Sequence, residues 1–354
     1  MRWSVVCMAA LLMTAGYDLS KGFGAAVAQA QSVPQVSAGN AVEVTADNFN
    51  RAETDMYFGR LVKDGGIGRL SHHRKLYLND SPIVRPNRDT LYSVAVFDFD
   101  AGPVTITLPD ASKRFMSMQV INEDQYTQSV CYGAGRYTVT REEIGTRYGS
   151  LGIRILVNPE DPADMNQVHT LQDAIKVEQK SSGNFEVPNF DRITQKKVRD
   201  ALLVLGTTIP DTKRMFGSRS QVDPVRHLIG SAILWGGLPQ KDAIYLNITP
   251  DHNDGAIVYK LKVRDVPVEG FWSITVYNAE GYLEYNQYNS YSVNDITAKK
   301  AADGSVAVQF GGCDGKILNC LPTMRGWNYM VRLFRPRAQV LNGTWKFPEA
   351  QRVN

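Results

Sequence analysis

Two stretches of alternating apolar and polar residues, separated by a stretch with helical spacing, organise this chain. Between residues 90 and 157, short apolar runs are cut by turn-forming clusters. Leu91–Phe99, Val104–Leu108, Arg114–Ile121, Tyr137–Thr140 and Ile153–Val157 are predicted strands. Period-two alternation is clearest in Phe115-Met-Ser-Met-Gln-Val-Ile121. Asp100-Ala-Gly-Pro103, Pro109-Asp110 and Tyr132-Gly-Ala-Gly135 supply the turns, and a short helix is expected within Thr140–Tyr148. From residue 238 the same grammar returns in Ala243–Ile248, Ile257–Val263, Phe271–Tyr277, Val306–Phe310 and Tyr329–Phe334. That spacing predicts an antiparallel sandwich or jelly roll rather than alternating βαβ units.

Helical spacing appears before and between these stretches. Asn50 and Glu53 have the spacing of a capping box ahead of Met56, Phe58, Leu61 and Val62, and Gly65-Gly66 ends that helix. Thr170 with Asp173 predicts a short helix through Glu178. Val198, Ala201, Leu202 and Leu205 predict another. Asp223-Pro224 pairs an N-cap with proline at the first helical position, and Gly236-Gly237 is the stop. The pattern gives a mainly β chain: an N-terminal β-domain over 31–190 with a leading helix, a helical connector over 191–237 and a C-terminal β-domain over 238–354.

Residues 1–30 read as a cleaved export signal. Met1-Arg2 is the positive start, Trp3 to Leu12 the apolar run, and Ala28-Gln-Ala30 the small-x-small cleavage pattern. The run is far shorter than the ~20 residues of a membrane span. A periplasmic or secreted protein with no membrane span is expected. Without residues 1–30, which hold Arg2, Lys21 and Asp18, 37 basic and 35 acidic side chains leave a charge of +2. That balance, with no basic aromatic stripe, argues against nucleic acid as a partner. Cys131, Cys313 and Cys320 then remain. Cys313 and Cys320 flank a turn-like Asp314–Asn319, where a disulfide and two free thiols are both open readings.

Candidate chemistry concentrates in Arg85-Pro-Asn-Arg-Asp-Thr-Leu-Tyr92. Arg85, Asn87, Arg88, Asp89 and Tyr92 place five hydrogen-bonding side chains in eight residues, and Pro86 stiffens the loop. Two guanidiniums beside a carboxylate suit an anion or sugar hydroxyls; the same groups also suit the ordering of a strand's start. Asp124, with Tyr126 close behind, is the second candidate carboxylate, and it forms an acid/base pair with Asp89 if the fold joins them. Asp98 and Asp100 read as a turn. His-x-His, His-Glu-x-x-His and Cys-x-x-Cys are absent, so no metal and no cofactor are expected. Gly311-Gly-Cys-Asp-Gly-Lys316 is one residue short of a phosphate loop.

Several blocks resemble a paired bacterial family that joins domain-of-unknown-function families 1254 (N-terminal) and 1214 (C-terminal). Arg85–Ser93, Gln119-Val-Ile-Asn122 and Asp124-Gln-Tyr-Thr127 resemble the first. Gly270–Asn278, Asn286 to Ser292, Leu321-Pro-Thr323, Trp327–Pro336 and Val340–Trp345 resemble the second. The resemblance implies two β-sandwich domains, immunoglobulin-like and then jelly-roll-like, joined by helices, and implies no activity. Cys320 stands where the family pattern leads one to expect an aromatic, which strengthens a local disulfide with Cys313. The functional expectation is an exported protein that binds a small carbohydrate or anionic ligand at Arg85, Asn87, Arg88, Asp89, Tyr92 and Tyr126. The alternatives are a metal-independent hydrolase using Asp89 or Asp124, and a structural homo-oligomer of the cell envelope.

Overall fold

The computed structural model describes residues 41–78 and 84–353, so the expected signal peptide lies outside the described residues. The first helix, α1 (Phe49–Gly65), buries Phe49, Ala52 and Phe58. The capping box expected at Asn50 and Glu53 does not form. The helix starts earlier, and Glu53 is buried, ion-paired with Arg199 and bonded by Gln195 Nε2 at 2.9 Å. A carboxylate held in that pair is not free to cap its own helix.

The N-terminal β-region comprises β1 (Ser71–His72), β2 (Thr90–Asp98), β3 (Val104–Leu108), β4 (Met116–Asn122), β5 (Thr127–Tyr132) and β6 (Gly135–Val139). It continues through α2 (Arg141–Ile144), β7 (Tyr148–Leu156), α3 (Pro162–Asp173) and β8 (Lys176–Glu178). Two antiparallel sheets result, ordered β1-β2-β7-β4-β5 and β6-β3-β8. Leu91, Phe97, Val104, Ile106, Met118 and Ile153, drawn from both sheets, share one core. The helix expected from Thr170 through Glu178 is displaced towards the N-terminus. Asp161 caps it by accepting from Ala163 N at 2.9 Å and Pro162 opens it, whereas Lys176–Glu178 pair with β3.

Next come α4 (Arg192–Gly206) and α5 (Pro224–Ile233), capped by Asp191 and Asp223. They pack with α1 through Phe49, Ala52, Leu202 and Ile229. The C-terminal β-region holds β9 (Ala243–Ile248), β10 (Tyr259–Val263), β11 (Trp272–Tyr277), β12 (Ser292–Asn294) and β13 (Val306–Phe310). It ends with β14 (Cys320–Leu321), β15 (Asn328–Phe334), α6 (Ala338–Leu341) and β16 (Gln351–Arg352). Its sheets are ordered β12-β11-β15-β9 and β14-β13-β10-β16, antiparallel except for β13 with β14. Leu261, Ile274, Val308, Phe310, Trp327 and Val331 fill the core between them. The described fold is thus mainly β, with four open sheets. Ala41–Asn354 form one compact unit. Every residue of β4, β11 and β15 is buried, so those strands are covered on both faces. The second covered face is where the two β-regions meet.

Candidate functional site

Strand alternation sends one set of side chains from each inner sheet into its own core and the other set into the seam. On β11, Trp272, Ile274 and Val276 face the core, which leaves Ser273, Thr275 and Tyr277 for the opposite face. Cross-strand register then lines up two polar rows. Tyr92, Arg154, Ser117 and Tyr132 run across β2, β7, β4 and β5. Asn294, Ser273, Arg332 and Tyr245 run across β12, β11, β15 and β9. Apolar contacts close part of the seam: Phe271 stacks on Phe334 at 4.2 Å and Phe115 meets Phe271 edge-on at 5.1 Å. Such aromatic pairs contribute about 0.5–1.5 kcal/mol each beyond burial.

At one end the seam is closed by the Arg85–Tyr92 loop. Asp89 is fully buried and accepts from Asn294 Nδ2 at 3.0 Å. Arg332, also buried, donates to Tyr277 Oη at 2.7 Å, Thr275 Oγ1 at 3.1 Å and the Arg85 carbonyl at 2.9 Å. Tyr277 Oη in turn donates to the Pro86 carbonyl at 2.8 Å. Arg85 Nη1 donates to Asn328 Oδ1 at 2.6 Å. Arg85 sits at φ 55° ahead of a proline, a costly left-handed conformation for a non-glycine residue. Its N–H to Gly281 O at 2.8 Å and its carbonyl to Arg332 hold it there. Burial pushes the Asp89 carboxyl above the usual carboxylate range, and the Arg332 charge opposes this.

At the other end the seam opens into a cleft of about 600 Å³. Val130 and Tyr132 of β5 form one wall; Lys241, Asp242, Glu269, Arg335 and Arg337 form the other. Tyr132 Oη donates to Asp242 Oδ1 at 2.9 Å, and the Arg335 guanidinium lies 4.7 Å from the Tyr132 ring centroid while pairing with Glu269 at 2.6 Å. Burial raises the Asp242 carboxyl above its ordinary range; burial and then the Asp242 charge raise the Tyr132 phenol. Lys241 and Arg337 are exposed and make no ion pair among the described residues. Asp242 Oδ2 is buried without a hydrogen-bond partner among them.

A separate carboxyl pair sits where α1 meets the β4–β5 turn. Asp55 is pushed up to about 8, first by burial and then by the charge of Glu123. Glu123 is itself raised by burial, while its Oε2 accepts from Tyr148 N at 2.9 Å. Arg51 covers the pair and binds Asp124 Oδ1 at 2.8 Å. Two adjacent buried carboxyls of this kind share a proton.

The family "Protein of unknown function (DUF1254)" matches residues 67–144, and "Protein of unknown function (DUF1214)" matches residues 242–338. The chain belongs to the two-domain family that carries these regions in this order. In the DUF1254–DUF1214 arrangement, β2, β4 and β5 of the seam fall in the first match and β11, β12 and β15 in the second. No curated protein matches the chain. The crystal structure of the VPA0106 protein from Vibrio parahaemolyticus is similar in fold, with a TM-score of 0.67 at 16% identity over 87% of this chain and 98% of that one. An uncharacterized protein from Burkholderia cenocepacia gives a TM-score of 0.51 at 13% identity over 82% and 83% of the two chains.

The DUF1254 residues singled out in the sequence divide between places. Arg85, Asn87, Arg88, Asp89 and Tyr92 gather at the closed end: Asn87 Nδ2 donates to Tyr92 Oη at 3.2 Å, and Arg88 lies over the Tyr291 ring at 4.7 Å. Tyr126 is elsewhere, stacked on His227 at 4.4 Å. Asp89 and Asp124 do not form an acid/base pair. Thr90 pairs with Leu156 and Asn122 with Gly149, so the two carboxylates flank opposite ends of β7, about 23 Å apart along the strand. Asp98 pairs with Arg147 and Asp100 with Arg141, as in an ordered turn. Cys313 and Cys320 form a disulfide with a Cα–Cα distance of 5.7 Å. The cleft residues Tyr132, Lys241, Asp242, Arg335 and Arg337 escaped the sequence reading. Their one local signal is the second Arg-Pro dipeptide, Arg335-Pro336, whose arginine has φ 51°.

Proposed function

We propose that the protein binds a small hydroxylated anion, of the sugar-acid or sugar-phosphate type, in the cleft at the open end of the seam. The observation that carries this reading is the pair of cations Lys241 and Arg337, which line the cleft without an ion-pair partner among the described residues. Guanidinium and ammonium groups bind carboxylate or phosphate, and the exposed Glu269 carboxylate in the cleft lining offers oxygen atoms to hydroxyls. The cleft lies within the size range of small-molecule sites. The Arg85–Tyr92 loop then locks the two β-regions whose edges form the cleft walls, and does not itself touch the ligand. Thermal-shift measurements with sugar acids, sugar phosphates and neutral sugars test this. Anions are expected to raise Tm by a few degrees, with neutral sugars inert and the response absent in Lys241→Glu/Arg337→Glu. No response to any anion, or a full response in the double variant, would sink it.

The shared cores support reading residues 31–190 and 238–354 as sandwiches, immunoglobulin-like and jelly-roll-like, around the 191–237 connector. The Cys313–Cys320 disulfide supports export to an oxidising compartment directed by residues 1–30. Hydrolysis by Asp89 or Asp124 has less support, since the first is fully buried and the second is engaged by Arg51.

A further inference from the structure

The loop closed by Cys313 and Cys320 carries an apolar tip that nothing described above uses. Leu318 is 67% exposed and Ile317 39% exposed. A lone surface leucine is ordinary; two adjacent apolar residues on a cross-linked loop are a stronger feature. The tip is held by more than its disulfide. Asp314 Oδ1 accepts from Lys316 N at 2.8 Å and Ile317 N at 2.9 Å. Asn319 exchanges hydrogen bonds with the Lys299 backbone, both at 2.8 Å, and donates to Ala307 O at 3.0 Å. Tyr288 Oη donates to Cys313 O at 2.8 Å. The loop therefore presents its apolar side chains while its polar groups are occupied in fixing its shape.

Charge surrounds the tip. Lys316 precedes Ile317, and the Asn319 bonds bring Lys299 and Lys300 alongside. All three lysines are exposed and make no ion pair among the described residues. The nearby acids are Asp314, committed to the turn, Asp303, paired with Lys262, and Asp295, half-buried and facing the Lys300 charge. A small apolar wedge ringed by cations is complementary to an anionic lipid surface: the side chains enter the acyl boundary and the ammoniums meet the headgroups.

We propose that the Cys313–Cys320 loop is a docking tip for anionic lipid bilayers. This stands apart from the cleft and does not depend on it. The test is co-sedimentation of the full chain with phosphatidylcholine vesicles and with mixed phosphatidylcholine/phosphatidylglycerol vesicles. Binding is expected only to the mixed vesicles and is expected to fall with added salt. Leu318→Asp should weaken it at least about tenfold. Lys299→Ala/Lys300→Ala/Lys316→Ala should weaken it on the order of a hundredfold, at roughly a factor of five per lysine. The substituted side chains are exposed, and unchanged thermal midpoints confirm that the variants are folded. Absence of binding to mixed vesicles overturns the proposal. So does binding that both variants retain in full, which would place the lipid contact elsewhere on the chain.

Discussion

Arg85-Pro86 and Arg335-Pro336 occupy opposite ends of one seam and share a local design. Each arginine has positive φ, 55° and 51°, and each guanidinium lies over a tyrosine ring, Tyr277 or Tyr132. Their surroundings differ. Around Arg85 the partners are buried and turned on one another: Arg332 on Tyr277, Asn294 on Asp89. Around Arg335 the seam opens, and Lys241 and Arg337 remain without ion pairs among the described residues. The same residue types build a latch where water is excluded and a ligand-accessible surface where it is not. Polar content alone therefore does not mark a binding site; uncommitted hydrogen-bonding and charge capacity does.

The comparison breaks most visibly at Arg332. Arg332→Ala removes three hydrogen bonds and the charge facing Asp89, and should destabilise the fold by about 3–5 kcal/mol in urea titration. A loss below about 1 kcal/mol would show that the closed end is not a latch.

Asp55 tests the same rule at a buried carboxyl whose partner is a second buried carboxyl, Glu123. Its folded pKa, about 8 against 3.8, is raised, so the native state holds a proton that the unfolded chain releases. The contribution is fully present below about pH 4 and lost as pH rises through about 8, with a slope near 1.4 kcal/mol per pH unit where one proton is at stake. Asp55→Asn should flatten that dependence and stabilise the protein at pH 8 by about 1–3 kcal/mol. Stability that rises with pH over this window in the wild type, or is unchanged by the substitution at pH 8, would contradict it.

The smallest expected effect sharpens the other side. Lys241→Glu and Arg337→Glu should each change folding stability by less than about 0.5 kcal/mol while removing the anion response. A large stability loss would reassign these cations from ligand binding to structure.

Much of the fold was legible. Alternation located most of the longer strands but missed β5, the first half of β7 and the short strands, β8 having been read as helix; Asp223-Pro224 located a helix start, and the two family blocks gave the order of the β-regions. The Arg85–Tyr92 loop was also legible as polar excess, but its role was not. Its partners Asn294 and Arg332 lie more than 200 residues away along the chain. Asp89 and Asp124, close enough in sequence to suggest one site, are separated by the length of a strand. Glu53, spaced for a cap, was claimed by Arg199 from another helix.

The sequence by itself determined which residues alternate, where the chain turns and which faces enter each core, because backbone geometry and apolar burial are local in their demands. Tertiary structure alone decided what covers the second face of β4, β11 and β15. A period of two says that a strand has two sides and gives no sign of what meets the polar one. Here two such sides meet, so the serines, arginines and tyrosines on them become a buried network at one end and an open cationic cleft at the other.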